Sequence, residues 1–304
     1  MRQEIIVALT LIVCCSSAVA IEKNSSVEDN PVVDALKSAI VSSSDITSYR
    51  FTLDMDQTMR LHNLSNQTEA PQVLQVKSFG AGSVNVTEKA MEMALASVVI
   101  SQGDEDNVTA TSIEEYLIND TVYMKIDGNW TYIRLGLPGW TSQQPAGEQM
   151  EMLNQSKISL LGMESIDGID CYKIGVVQER EAFSRMVSQQ DGLDMGTLNL
   201  NLSEIYRNAT ISMIYWIDTN ENLLKKTEMD MDISINSKDL GIPAEEAGDL
   251  QIQMSIKSTY LYRDLNGYIQ IALPSEAETA QPFGQAINIT AEGTLQNTTI
   301  EASP

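Results

Sequence analysis

Carboxylates are the residues of this chain best supplied to do chemistry. Asp54 and Asp56 stand two apart in Tyr49–Leu61, and in an extended strand such a pair shares one face. Acid–base hydrolysis uses paired carboxylates of this kind. The same spacing also marks a solvated strand face. With 42 Asp and Glu in 304 residues, the solvated face is the favoured reading. Gly103-Asp104-Glu105-Asp106-Asn107 offers oxygens to calcium but without fixed ligand spacing. Asp218-Thr219-Asn220-Glu221-Asn222 opens like an EF-hand loop, yet Leu223 stands where Gly is required and Met229 where the terminal Glu should be. Both stretches read as turns. The one histidine, His62, falls in a sequon-rich turn, which excludes a His-based triad and His-rich zinc sites. Gly80-Ala81-Gly82 lacks the third glycine and the helix of a dinucleotide site, so it reads as a bulge or bend in a strand. No G-x-S-x-G and no P-loop occurs. The expectation is a protein that is not an enzyme and uses no cofactor and no metal.

The charge balance narrows the partners. Lys and Arg total 19 against those 42 acids, a formal charge of −23. Nucleic-acid binding needs clustered cations, and an anionic membrane surface would repel such a chain. The surplus reads chiefly as a solubilising coat, with calcium binding and a salty habitat as lesser readings.

The first residues read as an address. Arg2 gives a minimal basic start, Ile5–Val13 an apolar core, and Ala18-Val19-Ala20 a cleavage site. Residues 1–20 are expected to be a signal peptide, with the mature chain starting at Ile21. A retained anchor is the alternative, but the apolar run is short against the roughly 20 residues of a span. Lipidation at Cys14 or Cys15 is a lesser alternative, because Val13 sits where a lipobox wants a small residue. Cleavage would leave Cys171 alone, a small buried hydrophobe rather than half of a disulfide.

Twelve of the eighteen asparagines open N-x-S/T sequons: Asn24, Asn63, Asn66, Asn85, Asn107, Asn119, Asn129, Asn154, Asn201, Asn208, Asn288 and Asn297. Chance would give about three. The excess predicts an exported surface glycoprotein, extracellular or at the cell surface, with Asn63, Asn66 and Asn107 accessible and Asn129 constrained by Trp130.

The elements that hold these residues are strands. In Ile113–Leu135, Val122, Met124 and Ile126 alternate with Tyr123, Lys125 and Asp127. Asn119-Asp120 and Asp127-Gly128 interrupt the run as hairpin turns. The pattern predicts the strands Ile113–Ile118, Thr121–Ile126 and Trp130–Leu135. Further strands are read at Tyr49–Leu61, Val73–Val86, Met91–Ser101, Lys157–Ile166, Ile169–Val177, Thr210–Ile217, Leu223–Ile235, Ile252–Tyr262 and Tyr268–Leu273. Helices are read at Pro31–Val41, at Glu179–Gln190 and within the polar stretch Gly136–Ser156. Residues 21–30 read as a polar leader and residues 281–304 as a Thr- and Asn-rich tail.

Methionine recurs on the apolar side of these strands at Met55, Met59, Met91, Met93, Met124, Met213, Met229, Met231 and Met254. Flexible, polarizable methionines suit a surface that accommodates varied apolar partners, and they also fill ordinary cores. Both readings stand at even weight, a ligand cavity against a filled sheet.

The order of these elements carries a resemblance. A leading helix is followed by Tyr49–Met55 (Y-R-F-T-L-D-M), the G-x-G strand, Met91–Met93, the hairpin Tyr116–Trp130 and the hairpin Glu164–Ile174. Trp216-Ile217-Asp218 and Leu223-Leu224-Lys225 come next, and Tyr260–Pro274 ends the run. From about Val32 to Ala280 the chain resembles the LolA/LppX-like lipoprotein superfamily, in its exported archaeal and bacterial members. The resemblance implies an α+β, mainly antiparallel fold. It implies an incomplete, open β-barrel of long meandering strands over residues 31–280, with a few helices covering the concave face. It also implies a non-catalytic carrier whose partner is a lipid or other apolar small molecule. A structural or adhesive cell-envelope glycoprotein with a filled core, in contact with other envelope components, is the alternative.

Overall fold

The computed structural model describes residues 31–63, 71–102, 107–126, 128–134, 156–177, 209–236 and 250–282. One helix, α1 (Pro31–Ser44), is followed by β1 (Ser48–Asn63), β2 (Gln72–Asn85), β3 (Ala90–Gln102), β4 (Asn107–Ile118), β5 (Thr121–Ile126) and β6 (Asn129–Arg134). The second half supplies β7 (Lys157–Ile166), β8 (Ile169–Val177), β9 (Thr210–Asp218), β10 (Leu224–Asn236), β11 (Leu250–Arg263) and the two-residue β12 (Gln281–Pro282).

All twelve strands lie in one open sheet, ordered β12-β6-β5-β4-β3-β2-β1-β11-β10-β9-β8-β7. Two meanders, β1–β6 and β7–β11, are thus joined back to back through β1 and β11. That central ladder runs antiparallel from Arg50↔Arg263 to Asn63↔Leu250. Only the short β12–β6 contact is parallel. The outermost full strands, β6 and β7, are not paired to each other, so the barrel is unclosed.

Alternation builds this sheet. In β1, Phe51, Leu53, Met55, Gln57 and Met59 are buried while Asp54, Asp56 and Arg60 are exposed. In β11, Ile252, Met254, Ile256, Ser258 and Tyr260 are buried while Gln253 and Lys257 are exposed. A period of two puts each set on its own face, and burying only one face is what such a pattern can satisfy. The tight turns use the residues the sequence offers: Asn119, Asp167, Asn222 and Asn266 have φ of 55°, 51°, 54° and 59°, and Gly128 and Gly168 reach 83° and 82°. Positive φ is tolerated by Asn and Asp and is free for Gly.

Several expectations change. Among the described residues α1 is the one α-helix, and it covers only one end of the sheet. Leu36 and Ala39 pack there with Ile174, Val176 and Ile217 of β8 and β9. Helices spread over the concave face are therefore not part of the described architecture. The stretches read as helices at Glu179–Gln190 and between Gly136 and Ser156 lie outside the described residues, Ser156 apart. Tyr268–Leu273 is not a strand. Ile269 and Ile271 instead pack on Ala90, and the Asn85 side chain donates from Nδ2 to the Ile269 carbonyl at 2.8 Å. β4 begins at Asn107, six residues before the expected Ile113.

Gly80-Ala81-Gly82 forms no bulge, since β2 keeps an unbroken register with β1 and β3. The glycines make room for larger neighbours. A Cβ on Gly82 would lie 2.5 Å from Phe51 Cζ, and one on Gly80 would lie 2.9 Å from Leu95 Cδ1. Contacts that short are repulsive, so Phe51 and Leu95 occupy the space the missing side chains leave.

Candidate ligand-binding face

All nine methionines singled out by their spacing belong to one apolar cluster on one face of the sheet. Met55, Met59, Met93, Met124, Met231 and Met254 are buried, and Met91, Met213 and Met229 are half-buried against them. Register brings them together: Met59 lies across from Met254, and Met213 across from Met229. Two thioethers also accept hydrogen bonds. Gln57 Nε2 donates to Met254 Sδ at 2.9 Å, and the Tyr215 hydroxyl donates to Met213 Sδ at 2.7 Å.

An aromatic group adjoins the methionines. Phe51 and Tyr260 have centroids 6.2 Å apart, Tyr49 meets Tyr262 edge-on at 5.9 Å, and Tyr260 stacks on Tyr262 at 13°. Burial raises the phenol pKa of Tyr49 and of Tyr215 beyond the titratable range, and pushes that of Tyr262 up to about 12. All three therefore stay neutral at physiological pH and can donate a hydrogen bond without carrying charge.

This face also hides polar atoms. Ser78 Oγ and Ser97 Oγ share a hydrogen bond of 2.8 Å. Ser258 Oγ is buried without a partner. The largest surprise is Glu115, whose residue is 1% exposed and whose two carboxyl oxygens both lack a partner. Its strand neighbours are Met93 on β3 and Met124 on β5. Burial alone pushes the carboxyl pKa up to about 7. Sequence reasoning passed over this residue, although the signal was present. Ile113, Glu115 and Leu117 share one parity, and that parity faces the cluster.

The other residues with chemical potential are placed apart from this face. Asp54 and Asp56 are exposed on the opposite face, where Asp56 meets Lys77 at 3.4 Å. They border an open groove of about 720 Å³ with Phe79, Val98 and Ala110. A second groove of about 560 Å³ lies beside Arg50, Glu92, Glu114 and Asp264. His62 is in β1 rather than in a turn, half-buried, across from Gln251, and its Nε2 has no partner. Cys171 is buried, burial pushes its thiol pKa up, and Sγ donates to the Ile169 carbonyl at 3.4 Å.

Asp218 is occupied as a turn-former. Its Oδ1 accepts from the backbone N–H of Asn220 at 2.8 Å and of Glu221 at 3.3 Å, and Lys225 Nζ lies 3.6 Å from Oδ2. These contacts make the 218–222 stretch a hairpin turn.

The sequons divide by position. Asn119 and Asn129 are exposed. Asn85 is buried, and its Nδ2, the atom that would carry a glycan, is the one bonded to Ile269. Asn63 ends β1 and Asn107 begins β4. Asn24, Asn66, Asn154, Asn201, Asn208, Asn288 and Asn297 lie outside the described residues, as do Cys14, Cys15 and the acidic loop at 103–106.

An open antiparallel sheet with a methionine-rich face is the class of architecture these observations define. In structure the chain is similar to lipoprotein LppX from Mycobacterium tuberculosis, at 13% identity and a TM-score of 0.39 over 81% of this chain and 100% of that one. It is similar to LprF from Mycobacterium bovis, at 14% identity and a TM-score of 0.40 over 80% and 97%. It is similar, more distantly, to a DUF1329 family protein from Desulfovibrio piger, at 8% identity and a TM-score of 0.23 over 80% and 95%. At these TM-scores no residue role passes from those proteins to this chain. No protein-family model and no curated protein matches the sequence.

Proposed function

We propose that this protein is an exported, glycosylated, non-catalytic carrier or envelope protein that holds a lipid or similar apolar ligand against the methionine face of its open sheet. The observation that supports it is the gathering of nine methionines, drawn from six strands, on one face of one sheet. Thioether side chains change shape at low cost and attract apolar groups of varied outline. Residues 1–20 act as the export signal in this reading, and residues 31–280 form the carrier domain. Asn119 and Asn129 are sequons open to glycosylation, and Asn85 stays bare.

The near-complete burial of Met55, Met59, Met124, Met231 and Met254 favours a second reading, a structural or adhesive envelope glycoprotein whose sheet is filled. One substitution separates the two. Met231→Lys in a carrier leaves a folded protein with weakened ligand binding, because a cavity retains water near the ammonium. In a filled core it buries an unpaired charge, costs several kcal/mol and unfolds the domain. The experiment is organic extraction and mass spectrometry of protein purified from its native host, uptake of a fluorescent fatty acyl probe, and thermal melts of the variant. Co-purifying lipid with a folded variant supports the carrier. Absence of lipid, absence of probe uptake and an unfolded variant overturn it in favour of the scaffold.

A further inference from the structure

We propose that Glu115 is the polar anchor of the methionine face and receives the hydroxyl group of an alcohol-type apolar ligand. The inference rests on the carrier reading above and adds the chemistry of the ligand's head.

The geometry isolates one carboxyl group among apolar side chains. Along its row of the sheet the order is Phe51, Gly82, Met93, Glu115, Met124 and Thr131, on six adjacent strands. Leu117, Met91 and Val122 flank it on one side, and Ile113 and Leu95 on the other. No cationic or second acidic side chain occurs in these rows on that face. The nearest charges in sequence, Glu114 and Lys125, point to the opposite face and pair with each other at 2.9 Å. Thr131 supplies no donor, because its hydroxyl is directed at the Met124 carbonyl at 3.4 Å. Both oxygens of Glu115 are therefore left for something that is not part of the sheet.

Fold stability does not explain the residue. A buried polar group without partners destabilises, and an aliphatic or methionine side chain here would match its neighbours. A partner arriving from outside removes the deficit. With its pKa raised to about 7, the group retains its proton into the neutral range, and a protonated carboxyl has one donor and a free acceptor. A hydroxyl complements both at once. An ether can only accept, and a hydrocarbon does neither. The ligand class is accordingly a long apolar chain or ring system ending in a hydroxyl.

The test compares decanol with methyl nonyl ether, isomers of the same atoms that differ in the hydroxyl donor. The fraction bound at pH 6 to the full mature protein is measured by gas chromatography. The wild-type protein is expected to prefer decanol by about tenfold, the discrimination typical of one or two buried hydrogen bonds. Glu115→Gln keeps a donor and an acceptor and should retain the preference. Glu115→Leu and Glu115→Met should bind both isomers equally, with melts confirming that they are folded. Equal binding of the isomers by the wild-type protein overturns the inference alone, as does a preference that survives in either apolar variant. Wild-type protein that takes up neither isomer overturns the carrier reading and this inference with it.

Discussion

Asp218 and Glu115 are both buried acids, 3% and 1% exposed, and their surroundings differ completely. Asp218 lies where the chain turns, and the turn supplies two backbone N–H donors and a lysine. Glu115 lies mid-strand, between β3 and β5, and the residues directly across from it on both are methionines. A buried carboxyl is stabilising or destabilising according to what meets it. The comparison separates an acid that holds the fold from one that the fold merely tolerates. The second kind is where a ligand has something to gain.

The largest effect should come from breaking the satisfied site. Asp218→Ala strips two backbone N–H groups of their acceptor and leaves Lys225, whose side chain is 14% exposed, with only the exposed Glu221 carboxylate at 4.0 Å. A loss of about 4 kcal/mol is expected, read in chemical denaturation at pH 7. Glu115→Gln should act in the opposite direction. The folded pKa is raised above the unfolded one, so the folded state binds more protons between them. Wild-type stability therefore falls as pH rises from roughly 4 to about 7 and is flat above. The variant should match wild type near pH 4 and exceed it by at most about 3 kcal/mol at pH 8. A variant that gains equally at both pH values would show that the carboxyl is not titrating in the folded protein. The smallest effect is expected at Asp56→Asn. Its pair with Lys77 is open to water on both sides, and a change within about 0.5 kcal/mol, fading with salt, should be seen in the same denaturation series.

Local patterns carried most of the sheet. Strict alternation in Tyr49–Leu61 and Ile252–Tyr262 reported which side chains turn inward, and Asn or Asp before or at each tight turn reported where the chain reverses. Alternation reports burial and not pairing, which is why Tyr268–Leu273 misled. Ile269 and Ile271 are buried while Tyr268 and Gln270 are exposed, yet among the described residues no strand forms a backbone ladder with them. The glycines of β2 misled for a related reason, since the Phe51 and Leu95 side chains that fill their space belong to other strands. Glu115 was legible by parity and was obscured by the habit of assigning acids to solvent. The joining of β1 to β11 left no local mark at all.

That joining has a consequence for how the protein is made. The two strands of the central ladder are separated by about two hundred residues of chain, and loop-closure entropy must be met before they can pair. In a chain emerging from its N-terminus, β1 has β2 beside it within moments, while its other edge waits until Arg263 has appeared. Throughout that interval one flank of the first meander exposes unpaired backbone next to Leu53, Met55 and Met59, a template for pairing with a stranger. Folding of this sheet is accordingly slow, late and sensitive to concentration, and a chaperone that shields β1 should raise its yield more than one that acts on the finished molecule.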